Sequence, residues 1–190
     1  FIGCAQQVLR PAINEATVRL LTRLGCEVVV AKGVGCCAAL VHHMGREAET
    51  DAQVKANIAA FERVMEGGAL DAIVVNASGC GTLVKDYGHI LRTAPAWAER
   101  ARRVAALARD VSEVLVEFDL GTLCTLDKPW LDGEPPVVAY HSPCSLQHGQ
   151  KITKEPKRLL ADAGFEVREP AEAHLCCGSA GTYNLLQPEL

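Results

Sequence analysis

Apolar positions recur at helical spacing from Ala12 to Leu24, where Ile13, Ala16, Val18, Leu20, Leu21 and Leu24 form one stripe and Gly25 is placed to cap it. The period then changes. Glu27 to Ala31 is a short β-branched run and predicts a strand. Asp51 to Met65 returns to helical spacing, with Val54, Ile58, Phe61 and Met65 on one face and Gly67-Gly68 behind them. Asp71 to Asn76 contains Ala-Ile-Val-Val, the unbroken apolar run of a buried parallel strand. Trp97 to Phe118 predicts one or two helices, and Leu120 to Pro136, with its Gly, Pro and Asp, a connector. Pro136 to His141 predicts a strand, Ile152 to Ala163 a helix and Phe165 to Arg168 a strand. Strands alternating with helices define an α/β fold with short parallel sheets flanked by helices. In such folds, sites form in the loops at the C-terminal ends of the strands.

The pattern occurs twice. Cys4 is followed by a helix, then Gly25-Cys26-Glu27-Val28, then Cys36-Cys37; Cys144 is followed by a helix, then Gly164-Phe165-Glu166-Val167, then Cys176-Cys177. From the lone cysteine to the pair the offset is 32 residues each time. A repeat at fixed spacing marks one structural unit used twice. The expected organisation is two tandem related modules, 1–118 and 136–190, joined by a connector at 119–135. The chain lacks an initiating Met and stops within a helical pattern, so the first module is expected to lack its N-terminal edge and the second its C-terminal part.

Composition narrows the chemistry. Of 190 residues, 49% are hydrophobic, enough for a packed core, and the formal net charge is −4 with both signs interspersed. That argues against nucleic acid as a partner, which needs clustered Lys and Arg. The basic stretch Arg100 to Arg109 reads as the wet face of a helix. No apolar run reaches the roughly 18 residues of a membrane span. The nine cysteines lie between well-formed α/β elements, unlike those of a short disulfide scaffold, and fit a reduced cytoplasmic setting.

The repeat cysteines fall at strand ends, where Cys4, Cys36, Cys37 and Cys80 can converge. Cys144, Cys176 and Cys177 form the incomplete second set; its fourth member would lie near residue 220. Several thiolates on one edge fit an iron–sulfur site. The adjacent pair fits two neighbouring irons better than two corners of one compact cube. Gly33, Gly35, Gly79 and Gly81 would let backbone N–H groups approach the sulfurs. Structural zinc is the alternative, although the usual Cys-x2-4-Cys knuckles are missing. Thiol–disulfide exchange at the strained vicinal pair is a third reading. Cys26 and Cys124 do not recur in the repeat and read as plain thiols. His42, His43, His141, His148 and His174 read as hydrogen-bonding or capping groups rather than ligands. Lys85, Asp86 and Tyr87 read as surface and packing residues. There is no Gly-x-Gly-x-x-Gly and no Walker loop.

Five stretches carry a family resemblance: Gly3-Cys4-Ala5-Gln6-Gln7, Ala77-Ser78-Gly79-Cys80-Gly81-Thr82, Val84-Lys85-Asp86-Tyr87-Gly88, His141 through His148, and His174-Leu175-Cys176-Cys177-Gly178 through Tyr183. Together they resemble the cysteine-rich CCG domain of the heterodisulfide reductase B subunit and of the iron–sulfur subunits of glycolate, lactate and anaerobic glycerol-3-phosphate oxidation, those of glycolate oxidase most of all. The resemblance implies an oxidoreductase electron-transfer subunit in which all seven repeat cysteines bind [4Fe–4S] clusters, non-cubane in the heterodisulfide reductase relatives. It also implies an N-terminal ferredoxin-like domain missing from this stretch and flavin-containing partner subunits that oxidise glycolate to glyoxylate. The setting it implies is cytoplasmic, at the inner face of the membrane through the complex. One departure stands out: the first module reads Cys36-Cys37-Ala38, not Cys-Cys-Gly.

Overall fold

The computed structural model describes residues 1–120 and 133–176, together with 183, 186, 187 and 189. Cys124 and Cys177 lie outside the described residues, as does most of the connector. The chain divides into two compact units, one holding Phe1–Val111 and the other beginning at Ser112.

The first unit runs α1 (Cys4–Leu9), α2 (Pro11–Arg23), α3 (Ala39–His43), α4 (Glu47–Glu66), β1 (Ile73–Val75), α5 (Ser78–Lys85), α6 (Tyr87–Ile90), α7 (Pro95–Leu107) and β2 (Ala108–Asp110). β1 and β2 pair in parallel, Ile73 opposite Ala108 and Val75 opposite Asp110. The core gathers the apolar stripe of α4 (Val54, Ile58, Phe61), Ile73 of β1, Leu83 and Val84 of α5, Tyr87 and Leu91, and Ala101 and Val104 of α7. Fully burying each large side chain stabilises by about 1.5–3 kcal/mol before the entropy of ordering it is subtracted. Cys37 and Ala38 belong to this core, and Cys36 and Cys80 pack against it. The cysteine loop is therefore anchored in the hydrophobic centre of the unit.

Two sequence expectations are corrected here. The helical stretch expected across Trp97 to Phe118 breaks at Ala108–Asp110 into strand β2. Ala-Arg-Asp has no strand pattern of its own; its conformation is set by pairing to β1. The run Glu27 to Ala31 is not assigned to a strand, and Val29 and Val30 stand 55% and 54% exposed. Its repeat counterpart, β4 (Glu166–Arg168), pairs in parallel with β3 (Val137–Ala139). Among the described residues Glu27 to Ala31 has no pairing partner.

The basic stretch is not uniformly a wet face. Arg100 makes a two-pronged contact to Glu62 across α4 and α7, with Nε 3.1 Å from both carboxylate oxygens, and its Cζ lies 3.9 Å above the centroid of the Trp97 ring. Arg103 adds a bond to the same carboxylate at 3.1 Å. The Arg100 hydrogen bonds hold the Glu62 carboxyl below its usual pKa, against the opposing effect of burial. Arg102 instead pairs with Glu99 on the exposed side of α7.

The second unit places β3, a π-helical turn (Ser145–Gln150), α9 (Glu155–Asp162) and β4 after α8 (Val111–Leu115). The β3–β4 pairing, Val137 to Glu166 and Ala139 to Arg168, extends through Tyr140 N–H to the Arg168 carbonyl at 2.8 Å. Among the described residues no helix is long and apolar enough to cross a membrane.

Candidate functional site

Cys4, Cys36, Cys37 and Cys80 span 76 residues of sequence but meet within the first unit. Their placement differs in detail from the expected strand-end loops. Cys4 is the first residue of α1, and Cys80 is the third of α5, which begins two residues beyond Asn76 at the end of β1. Side-chain bonds then join these elements. Gln6 of α1 donates from Nε2 to the Asn76 carbonyl at 3.1 Å. Asn76 Nδ2 donates to Asn14 Oδ1 at 3.1 Å and Thr17 Oγ1 at 2.9 Å on α2. The Phe1 backbone nitrogen reaches the Val74 carbonyl at 2.8 Å. Gly3 keeps the approach open: a Cβ there would stand 3.0 Å from Gln6 Oε1 and 3.9 Å from Cys80 Sγ.

The four sulfurs form one interacting group. Cys4 Sγ and Cys36 Sγ are 3.7 Å apart. Cys37 lies within hydrogen-bonding reach of Cys80 and of Cys36. The contact with Cys80, followed by burial, pushes the Cys37 thiol far above the ordinary range. The same contact draws Cys80 below its usual value despite burial. Burial, and then the contact with Cys36, raises Cys4. The Ala39 N–H points at Cys37 Sγ, 3.5 Å away. Exposure grades across the group: Cys37 is buried, Cys36 and Cys80 are half-buried and Cys4 is open to solvent.

The backbone of the adjacent pair is held by two buried side chains that the sequence reading passed over. Asn57 of α4 accepts the Gly35 N–H and donates to the Cys36 carbonyl; Tyr87, fully buried, donates to the Cys37 carbonyl at 3.1 Å. Asn57 had a visible signal, since it lies between Val54, Ile58 and Phe61 on the apolar stripe, where a polar residue requires a partner. Tyr87, read as a surface or packing residue, is 0% exposed and packs in the core, with burial raising its phenol pKa; its hydroxyl bonds are what that reading lacked. Directly after the pair, Ala38 takes φ +80°, ψ 6°. This left-handed conformation is what a Cys-Cys-Gly sequence would supply without strain.

In the second unit Cys144 precedes the π-helical turn, and Cys176 is exposed. The loops carrying them are laced together: His141 Nε2 lies 3.1 Å from the Leu175 carbonyl, and Gln147 Nε2 donates to the carbonyls of Ser142 at 3.2 Å and Ala173 at 3.4 Å. His141 thus has the loop-bonding role expected of it. His42 and His43 sit on exposed turns of α3. Cys26 is a half-buried free thiol.

Residues 1–85 and 138–189 match the cysteine-rich domain family CCG, and the chain belongs to that family. It is 42% identical over 188 residues to the glycolate oxidase iron–sulfur subunit of Escherichia coli K12, covering 99% of this chain and 44% of that protein. It is 36% identical over 192 residues to the protein named "Probable glycolate oxidase iron-sulfur subunit" of Bacillus subtilis 168, covering all of this chain and 41% of that one. Lactate utilization protein A of Bacillus licheniformis is 32% identical over 196 residues, of which the chain spans 75%. The chain therefore spans less than half the length of the two glycolate oxidase relatives. No solved structure matches it.

Proposed function

We propose that this chain is the cysteine-rich part of an iron–sulfur electron-transfer subunit of a glycolate-oxidising complex. In this reading Cys4, Cys36, Cys37 and Cys80 hold one cluster, of [4Fe–4S] type and non-cubane. Cys144, Cys176 and Cys177 supply three thiolates to a second. The observation that carries the proposal is the meeting of four thiols, two of them 3.7 Å apart, from three separate parts of the sequence. The donor set fits: thiolates are the usual ligands of such clusters, and a buried wall with N–H groups aimed at sulfur tunes their potential. When bound, a cluster accepts and releases single electrons.

The chain's own residues do the rest. Cys37 faces the core and sits away from water, whereas Cys4 faces solvent on the side from which a partner can approach. The sequence has none of the Cys-x2-4-Cys knuckles usual for structural zinc, which supports an iron–sulfur group over zinc. The names of the two glycolate oxidase relatives support glycolate as the donor and other subunits of an oxidase complex as partners; flavin-containing subunits are the immediate partners in this proposal. The complex would work in the cytoplasm, at the inner face of the membrane. The lactate utilization relative supports a second reading with lactate as donor.

The full-length protein, reconstituted anaerobically with iron and sulfide, is expected to give an EPR signal on one-electron change. Its clusters should be reduced faster by its flavin partners with glycolate than with lactate. Stoichiometric zinc with no visible absorbance would overturn the electron-transfer reading; faster reduction with lactate would move the assignment to the second.

A further inference from the structure

Each polar group of the Asn57 side chain is spent on the cysteine loop or on the residue that bonds it. Asn57 is 1% exposed in the middle of α4. Its Oδ1 accepts from Gly35 N–H at 2.9 Å, and its Nδ2 donates to the Cys36 carbonyl at 2.8 Å and to the Tyr87 hydroxyl at 3.0 Å. Tyr87 passes the chain on by donating to the Cys37 carbonyl at 3.1 Å. Both are awkward choices for a core. Asparagine is disfavoured inside a helix because its side chain competes for backbone bonds, and a buried amide or hydroxyl destabilises unless it is bonded. Leucine and phenylalanine would avoid both costs.

The loop explains the choice. Residues 34–37 lie outside helix and strand, so no regular backbone ladder orients their peptide groups. Cys36 Sγ lies 3.7 Å from Cys4 Sγ, and its buried neighbour Cys37 belongs to the same group of thiols. The geometry points to Asn57 and Tyr87 as positioning residues that fix the two peptide groups of the Cys36–Cys37 pair, holding both thiols toward one cluster. This rests on the proposed role of the pair as cluster ligands, but it has a consequence in the metal-free protein as well.

Tyr87→Phe removes one hydroxyl and keeps the ring. In the reconstituted full-length protein it is expected to speed iron loss to a chelator about tenfold and to shift the EPR line shape, the scale of effect that residues supporting a ligand have. In the metal-free protein it is expected to slow capture of phenylarsine oxide, which needs two thiols together. Val104→Ala, on α7, serves as the comparison: it should lower the melting temperature and leave all three readouts unchanged. Should Tyr87→Phe not fold, Asn57→Ser carries the same expectations. Wild-type values for the variant in every readout overturn the positioning role while leaving the cluster standing. Wild-type protein that takes up no iron, but whose arsenical capture still depends on Tyr87, defeats the cluster reading and keeps the positioning role.

Discussion

Replacing Asn57 with leucine is expected to destabilise the first unit by about 3 kcal/mol. The substitution is close in volume, so packing is not what fails. The loss falls on the groups Asn57 satisfies. The partly buried Cys36 carbonyl loses its bond, and the fully buried Tyr87 hydroxyl loses the Asn57 donor while keeping its own bond to the Cys37 carbonyl. Stranding the carbonyl costs about 1–3 kcal/mol, and the bond lost at the hydroxyl about 1 kcal/mol more. Gly35 is exposed, so water can take over its N–H, and that bond adds little. The extra apolar surface of leucine offsets about 1 kcal/mol. Urea unfolding of the metal-free protein measures the difference. A loss under about 1 kcal/mol would mean that the cysteine loop is held by something other than this network.

Ala38→Val is expected to cost a similar amount, about 3 kcal/mol, for a different reason. Ala38 is 0% exposed and sits at φ +80°. A β-branched residue is a marked outlier in that conformation, and added methyls in a packed core typically cost about 1–3 kcal/mol. Ala38→Gly, which restores the Cys-Cys-Gly sequence, should be nearly silent. Relief of the left-handed strain gains about 1–2 kcal/mol, while loss of a buried methyl and greater freedom in the unfolded chain remove a comparable amount. Melting temperatures of the two variants test this. A large destabilisation by glycine, or none by valine, would show that the backbone conformation at this position is not what constrains the residue.

The residue type at 38 also marks how far the sequence could be read. The frame of cysteines was legible because spacing is covalent: two equal offsets of 32 residues need no tertiary information. The apolar stripes gave α2 and α4, and the run around Val74 gave β1, because each element carries its own period. β2 was not legible. Ala-Arg-Asp becomes a strand by lying beside β1, a fact of the fold and not of the segment. Glu27 to Ala31 misled in the opposite sense, since it has strand composition but no pairing partner among the described residues. At the site, the thiols could be chosen by repetition, but the side chains that orient them do not repeat. Tyr87 is separated from Cys37 by 50 residues and looked like a packing residue. Asn57 interrupted a hydrophobic stripe and was visible only as an anomaly. Cys80, expected in a loop, lies in the first turn of α5 because the chain turns into helix soon after β1.

Four thiolates acting as one site are tested most directly by the iron and acid-labile sulfide bound per chain. Full-length protein should be reconstituted as wild type, as each single variant Cys4→Ala, Cys36→Ala, Cys37→Ala and Cys80→Ala, and with all four replaced. Each single replacement is expected to remove as much iron and sulfide as the quadruple one, with Cys26→Ala retaining the wild-type content. Losses that add from one cysteine to the next, or a single variant that keeps its full complement, would contradict a shared cluster.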